Sequence, residues 1–294
     1  MNRIRNKLQS RSIRDFWWRY RRNKAAVIGL IIIAIFTFLA VFAPWLSPYD
    51  PFALGKDVFA SPNIGHPMGT DNLGRDILTR FLYGARISLF IGVLAASSST
   101  IIGVLVGITS GYIGGIVDGI LMRITELVMI IPKMFLALIF VAVFGPDIMF
   151  IILIIGLLSW PQIARITRAE FLSLKEREFV TSAKAIGVSK IKIALFEILP
   201  NASPPIIVNA SLLVSSAILI EAALSFLGLG DPDAVSWGQM LRFAQPFLRR
   251  AWWMMIFPGL AVSFTTLGIN LVGEGLNDAL NPKLKEKNVD VKNG

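Results

Sequence analysis

The chain of 294 residues contains no cysteine and one histidine, and only 16% of its residues are charged. Without cysteine there can be no disulfide framework and no thiolate metal site. The lone histidine, His66, forms no imidazole cluster, and a single histidine is far more often structural than a metal ligand. HExxH is missing, as is any cluster of spaced carboxylates, so the chain offers no catalytic constellation and reads as no enzyme. A G-x-x-x-x-G-K-[ST] phosphate-binding loop is also missing, so any ATP this protein depends on is hydrolysed by another chain. These absences leave it with no metal or cofactor of its own.

Apolar residues are plentiful instead, at 54%, and they are gathered into long runs. This predicts an all-α polytopic membrane protein with six transmembrane helices. The net charge of +10 lies in blocks beside apolar runs, which suits anionic membrane lipid better than nucleic acid.

Residues 1–24 carry nine Lys/Arg against the single acid Asp15, with Phe16, Trp17, Trp18 and Tyr20 interleaved. This is a basic, aromatic membrane flank on the cytoplasmic face. Ala25 to Ala43 forms the first span, and its nineteen residues cover roughly 28 Å. Val41-Phe42-Ala43 faintly resembles a signal-peptide cleavage site, but the run is too long for one, and the span is read as uncleaved. An outer loop, residues 44–84, is rich in Pro and Gly; within it Thr70 or Asp71 is positioned to start a helix. The second span covers Ile87 to Ile108, where Ala95, Ser99, Gly103 and Gly107 make a small-residue stripe suited to a close helix neighbour, within this chain or on a partner.

The third span runs from Val117 to Phe144 and is broken at Pro132; Arg123 and Glu126 can pair on one of its faces. Ile148 to Trp160 is short for a fourth span and must borrow Ile163 to Ile166. Ile206 to Leu229 and Trp252 to Val272 are the fifth and sixth, separated by a second outer loop, residues 229–251. The six-helix domain is thus residues 25–273, followed by a polar, frayed tail, 274–294. Polar residues recur within the last two spans: Asn209, Ser211, Ser215 and Glu221 in one, Ser263, Thr266 and Asn270 in the other. Such stripes face other helices or a water-filled path, which makes them candidates for a translocation path. Cytoplasmic segments hold nine, seven and four Lys/Arg (1–24, 161–203, 274–294), and the two outer loops hold three each. Twenty against six predicts both termini inside.

Lys175 to Asn201 is a charged stretch between apolar runs and predicts a helix-Gly-helix hairpin outside the lipid. Phe179, Val180, Ala183 and Ile186 share one face of the first helix. Gly187 supplies the left-handed turn, and Ser189 caps a second helix with Ile191, Ala194, Leu195 and Ile198 apolar, stopped by Pro200. On periodicity alone the stretch is equally an ordinary solvated loop.

Two strings carry a resemblance. Ala183, Gly187, Ile198, Leu199 and Pro200 match the cytoplasmic EAA loop of ABC-transporter permeases, with Thr181 and Ser182 where that pattern has Glu and its first Ala. Glu178 lies one helical turn earlier. GHPMGTDNLGRDILTRFLYGARISL, from Gly65 to Leu89, closely resembles the region before the second span in the C-type permease subunit of dipeptide, oligopeptide and nickel importers. The resemblance implies a type I ABC importer permease of a prokaryotic cell membrane. It implies a heterodimer with a related permease, two cytosolic ATP-binding subunits and an extracytoplasmic solute-binding protein. It makes Glu178, Phe179, Thr181, Ser182, Ala183, Lys184, Gly187 and Pro200 candidates for coupling to the ATPase. His66, Pro67, Gly69, Thr70, Asp71, Gly74, Arg75 and Asp76 form the outer family motif. An ion-coupled transporter using Glu126 or Glu221 is the rival class; it leaves both strings without a role.

Overall fold

The structure, a computed structural model, describes residues 16–280. The basic residues of 1–15 and the tail residues 281–294 lie outside the described residues, which are mostly helical and contain no strand. Residues 16–22 are helical, and Asn23 caps α1 (Lys24–Val41) by accepting a hydrogen bond from the Ala26 amide. α2 (Ile77–Ile113) is far longer than its apolar run requires. A bent pair follows, α3 (Gly115–Ile130) and α4 (Lys133–Phe144), turned by 82° at the Ile131-Pro132 break. α5 (Ile148–Leu174) leads into the short α6 (Glu178–Ala185). α7 (Lys190–Leu229), α8 (Trp237–Ala244) and α9 (Trp253–Leu280) complete the fold. Among the described residues five helices are individually long and apolar enough to cross a membrane, six if the bent pair counts as one span.

The small-residue stripe of α2 packs within the chain. Gly103 and Gly107 lie so close to α5 that a methyl group on them would come within 2.6 Å of Ile163 Cβ and 2.5 Å of Thr167 Cβ. Backbone contact at this range needs glycine on one partner. α5 also resolves the short fourth span: it passes unbroken through the buried Pro161, so the span continues along the helix to Leu174.

Three other expectations need correction, and a fourth is met only weakly. Helix α2 starts at Ile77, capped by Asp76, which accepts from the Thr79 amide at 2.7 Å; Thr70 and Asp71 fold into a loop before it. Pro200 does not stop a helix. It occupies a first-turn position of the regular run Leu199–Leu224, and a widened turn at Ile193–Ile198 joins that run to Lys190, so the second hairpin helix and the fifth span are one rod. Arg123 and Glu126 do pair, at 3.8 Å, but with 80% and 61% of their side-chain surface exposed the contact contributes little. The ion pair that ties this region together is Arg168 to Asp118, two bonds of 2.6 Å between α5 and α3, with Ser110 of α2 donating to the same carboxylate. Finally, α9 runs on to Leu280, so residues 274–280 are not frayed.

Candidate functional site

At the end of the bundle where α2 and α5 finish, the chain forms the predicted hairpin. Lys184 O and Ala183 O accept from the amides of Gly187 and Val188, and Gly187 takes φ +79°. This closure of a helix C-terminus favours glycine, because a side chain strains the left-handed conformation. Ser189 sits at the N-cap of the second helix, but its side chain makes no capping bond.

Which hairpin residues face outward differs from the sequence pattern. Val180 is fully buried and Ala183 is 8% exposed, both packed with Ile193, Ala194 and Ile198 of the same chain. These residues glue the hairpin to its own rod. Phe179 and Ile186 share the predicted face with them yet stay 38% and 81% exposed, and Ile191 is 73% exposed. Glu178, Thr181, Ser182, Lys184 and Pro200 are also exposed. The outward surface is therefore a small apolar patch among polar and charged side chains.

At the other end lies the motif before α2. Asp71 accepts from the amides of Leu73 and Arg75 at 2.8 and 2.9 Å and from Arg75 Nε at 2.6 Å. Arg75 also lies over the Phe243 ring. Thr70 donates to the Asp57 carbonyl and accepts from the Ala60 amide, and its own carbonyl accepts from Trp253 Nε1 at 3.1 Å. Gly69 and Gly74 take φ of +77° and +72°. At Gly69 a methyl group would lie 2.7 Å from the Trp253 ring nitrogen. Asp76, besides capping α2, lies 2.9 Å from His66 Nδ1. Pro67 is exposed beside them. His66 is thus a structural hydrogen-bonding partner, and no group of three metal-ligating residues occurs among the described residues. The motif folds into a buried brace joining the loop, α2 and the start of α9.

The polar residues of the last two spans divide. Ser215, Thr266 and Glu221 are buried inside the single chain. Glu221 accepts from Ser225 at 2.7 Å and from Ser88 at 3.4 Å, and Ser88 Oγ in turn accepts from the Trp237 amide. The carboxylate therefore anchors α8 to α2 and α7. Asn209 and Ser211 are half-buried, and Ser263 and Asn270 are exposed. Ser211, Ser263 and Thr266 each return their hydroxyl to a carbonyl of their own helix. Sequence reasoning missed Ser88, Ser225 and Trp237 around Glu221. A buried carboxylate needs donors, but only the tertiary fold reveals which ones.

This arrangement, six apolar spans with a hairpin at one end and a braced loop at the other, fits a known family. Residues 103–286 match the family described as binding-protein-dependent transport system inner membrane component, and residues 12–63 match the N-terminal TM domain of oligopeptide transport permease C. The chain belongs to the first family, is a multi-pass inner-membrane permease, and has the type I importer fold.

Among its relatives is the dipeptide transport system permease protein DppC of Escherichia coli (strain K12), 43% identical over 282 residues, which are 93% of this chain and 94% of that one. The di/tripeptide transport system permease protein DppC of Pseudomonas aeruginosa is 39% identical over 281 residues, 93% of each chain. The dipeptide permease DppC of Haemophilus influenzae is 37% identical over 282 residues, 93% of this chain and 96% of that protein.

Proposed function

We propose that this chain is the C-type permease subunit of an ATP-driven importer for short peptides, and that the hairpin at Glu178–Lys190 is where it couples to a separate ATPase. The observation that carries this reading is the hairpin's construction. Val180 and Ala183 fix it to the chain's own rod, while Phe179 and Ile186 stay exposed beside them. The peptide solute rests on the functions for which the relatives are named. The partners that follow are a related permease completing a heterodimer, two cytosolic ATP-binding subunits that hydrolyse the ATP, and an extracytoplasmic binding protein. With twenty Lys/Arg in segments 1–24, 161–203 and 274–294 against six in the two outer loops, both termini belong in the cytoplasm. The translocation face is drawn from Asn209, Ser211, Ser263 and Asn270, which keep access to the chain's surface.

An ion-coupled mechanism loses support from its own candidates. Glu221 is held by serines, and Glu126 points outward from α3. The experiment is peptide uptake by the assembled importer in cells. Uptake that stops on ATP depletion and survives collapse of ion gradients supports the reading; the reverse pattern overturns it. Reporters fused after Leu54 or Ser236 should report outside, and one at Lys175 inside.

A further inference from the structure

We propose that the hairpin end of the bundle binds the phosphate headgroup of an anionic phospholipid, in a pocket formed by Lys175, Lys184 and Lys190. The pocket has a volume of about 440 Å³, and Tyr112, Ile113 and Val188 line it beside the three lysines. Three separate elements build it: the last turn of α2, the end of α5 and the hairpin. None of these lysines joins an ion pair among the described residues. Lys175 Nζ donates only to the Gly111 carbonyl, at 3.4 Å. Asp118 lies within electrostatic range of Lys175, but Arg168 and Ser110 already engage its carboxylate. No acid is among the residues that line the pocket, which the three lysines share.

Depth and rim chemistry point to lipid. The apolar run of α2 ends at Ile108, so Gly111 to Ile113 lie at the level where headgroups begin. Ile113 in the pocket wall is 62% exposed, and Ile116, just beyond the turn, is 83% exposed. A phospholipid sets its phosphate among the lysines and its acyl chains along these isoleucines. Free phosphate or a nucleotide would match the lysines and leave the apolar rim facing water. Basic pockets between membrane helices are a recurring form of anionic-lipid site. The hairpin contributes two of the three lysines, so the lipid would steady the element proposed to couple to the ATPase; the lipid site itself does not depend on that coupling.

The test uses the assembled importer in nanodiscs of phosphatidylcholine with or without phosphatidylglycerol, with retained lipid counted by native mass spectrometry. Lys175→Gln with Lys190→Gln should weaken phosphatidylglycerol retention about thirtyfold, from roughly 1 kcal/mol for each lysine near a membrane surface. Lys175→Arg with Lys190→Arg should restore it. Lys190→Gln alone, at an exposed position, should lose about fivefold and decides the matter if the double variant does not assemble. Inorganic phosphate should not displace the lipid. Equal retention in variant and wild type overturns the proposal, and so does ready displacement by phosphate, which marks a free-anion site. Loss of the ATPase with lipid retention unchanged also overturns it, since the lysines would then serve a protein partner.

Discussion

The two ends of this molecule treat their conspicuous residues in opposite ways. In the loop before α2, Asp71, Arg75 and Asp76 are 2%, 9% and 3% exposed, and each is held by another group of the same chain. In the hairpin, Ile186 and Ile191 are 81% and 73% exposed, and no cluster of the chain's own core takes them in. Burying a charge requires partners, and the outer loop supplies them internally, as a self-contained brace. An exposed apolar residue on a charged hairpin has no such internal account. The comparison teaches that a distinctive charged motif can be scaffold, and that the surface proposed here for docking is the one its own chain leaves uncovered.

The largest effect should come from the braced end. Asp71→Ala strands the Arg75 guanidinium and two amides, and breaking a buried pair in this way costs about 3–5 kcal/mol. Abundance and melting temperature of the purified complex should both fall. If abundance holds while uptake falls, the outer motif is a working site and the contrast between the ends fails. Next comes Glu221→Ala, which leaves Ser88 and Ser225 without their acceptor at a cost of about 1–3 kcal/mol. Thermal stability should drop while uptake per assembled complex stays level; the opposite result would return Glu221 to the solute path.

At the hairpin, Gly187→Val should cost about 1–2 kcal/mol locally, through the positive φ. Limited proteolysis should then cut near residue 187 with the spans intact. Thr181→Glu, at the exposed place of the EAA glutamate, should change stability by no more than about 0.5 kcal/mol. A larger loss by thermal melting would mean that Thr181 is packed after all.

The spans were legible in the sequence because the bilayer demands long apolar runs, and the hairpin turn because Gly187 followed a helical pattern directly. Helix ends were less legible. Asp76, a better-placed cap than Thr70 or Asp71, stood unnoticed among other polar residues, and Pro200 looked like a stop although a first-turn proline is compatible with helix. The division of the hairpin's apolar face into a glued part and an outward part was invisible, because Phe179, Val180, Ala183 and Ile186 share one periodicity. Only the position of Ile193 and Ile198 decides which of them is covered. The pairing of Asp118 with Arg168, fifty residues apart, carried no local signal at all.

The central claim is that the uncovered part of the hairpin carries the ATPase. It is tested most directly by Phe179→Asp combined with Ile186→Asp, two exposed positions whose change should leave the fold intact, where Ala183→Glu would disturb the chain's own packing. The measurement is the amount of ATPase that co-purifies with the mutant permease pair. The account predicts that the pair assembles at normal abundance and loses its ATPase and its uptake together. A mutant pair that keeps a full complement of ATPase and transports normally would contradict it.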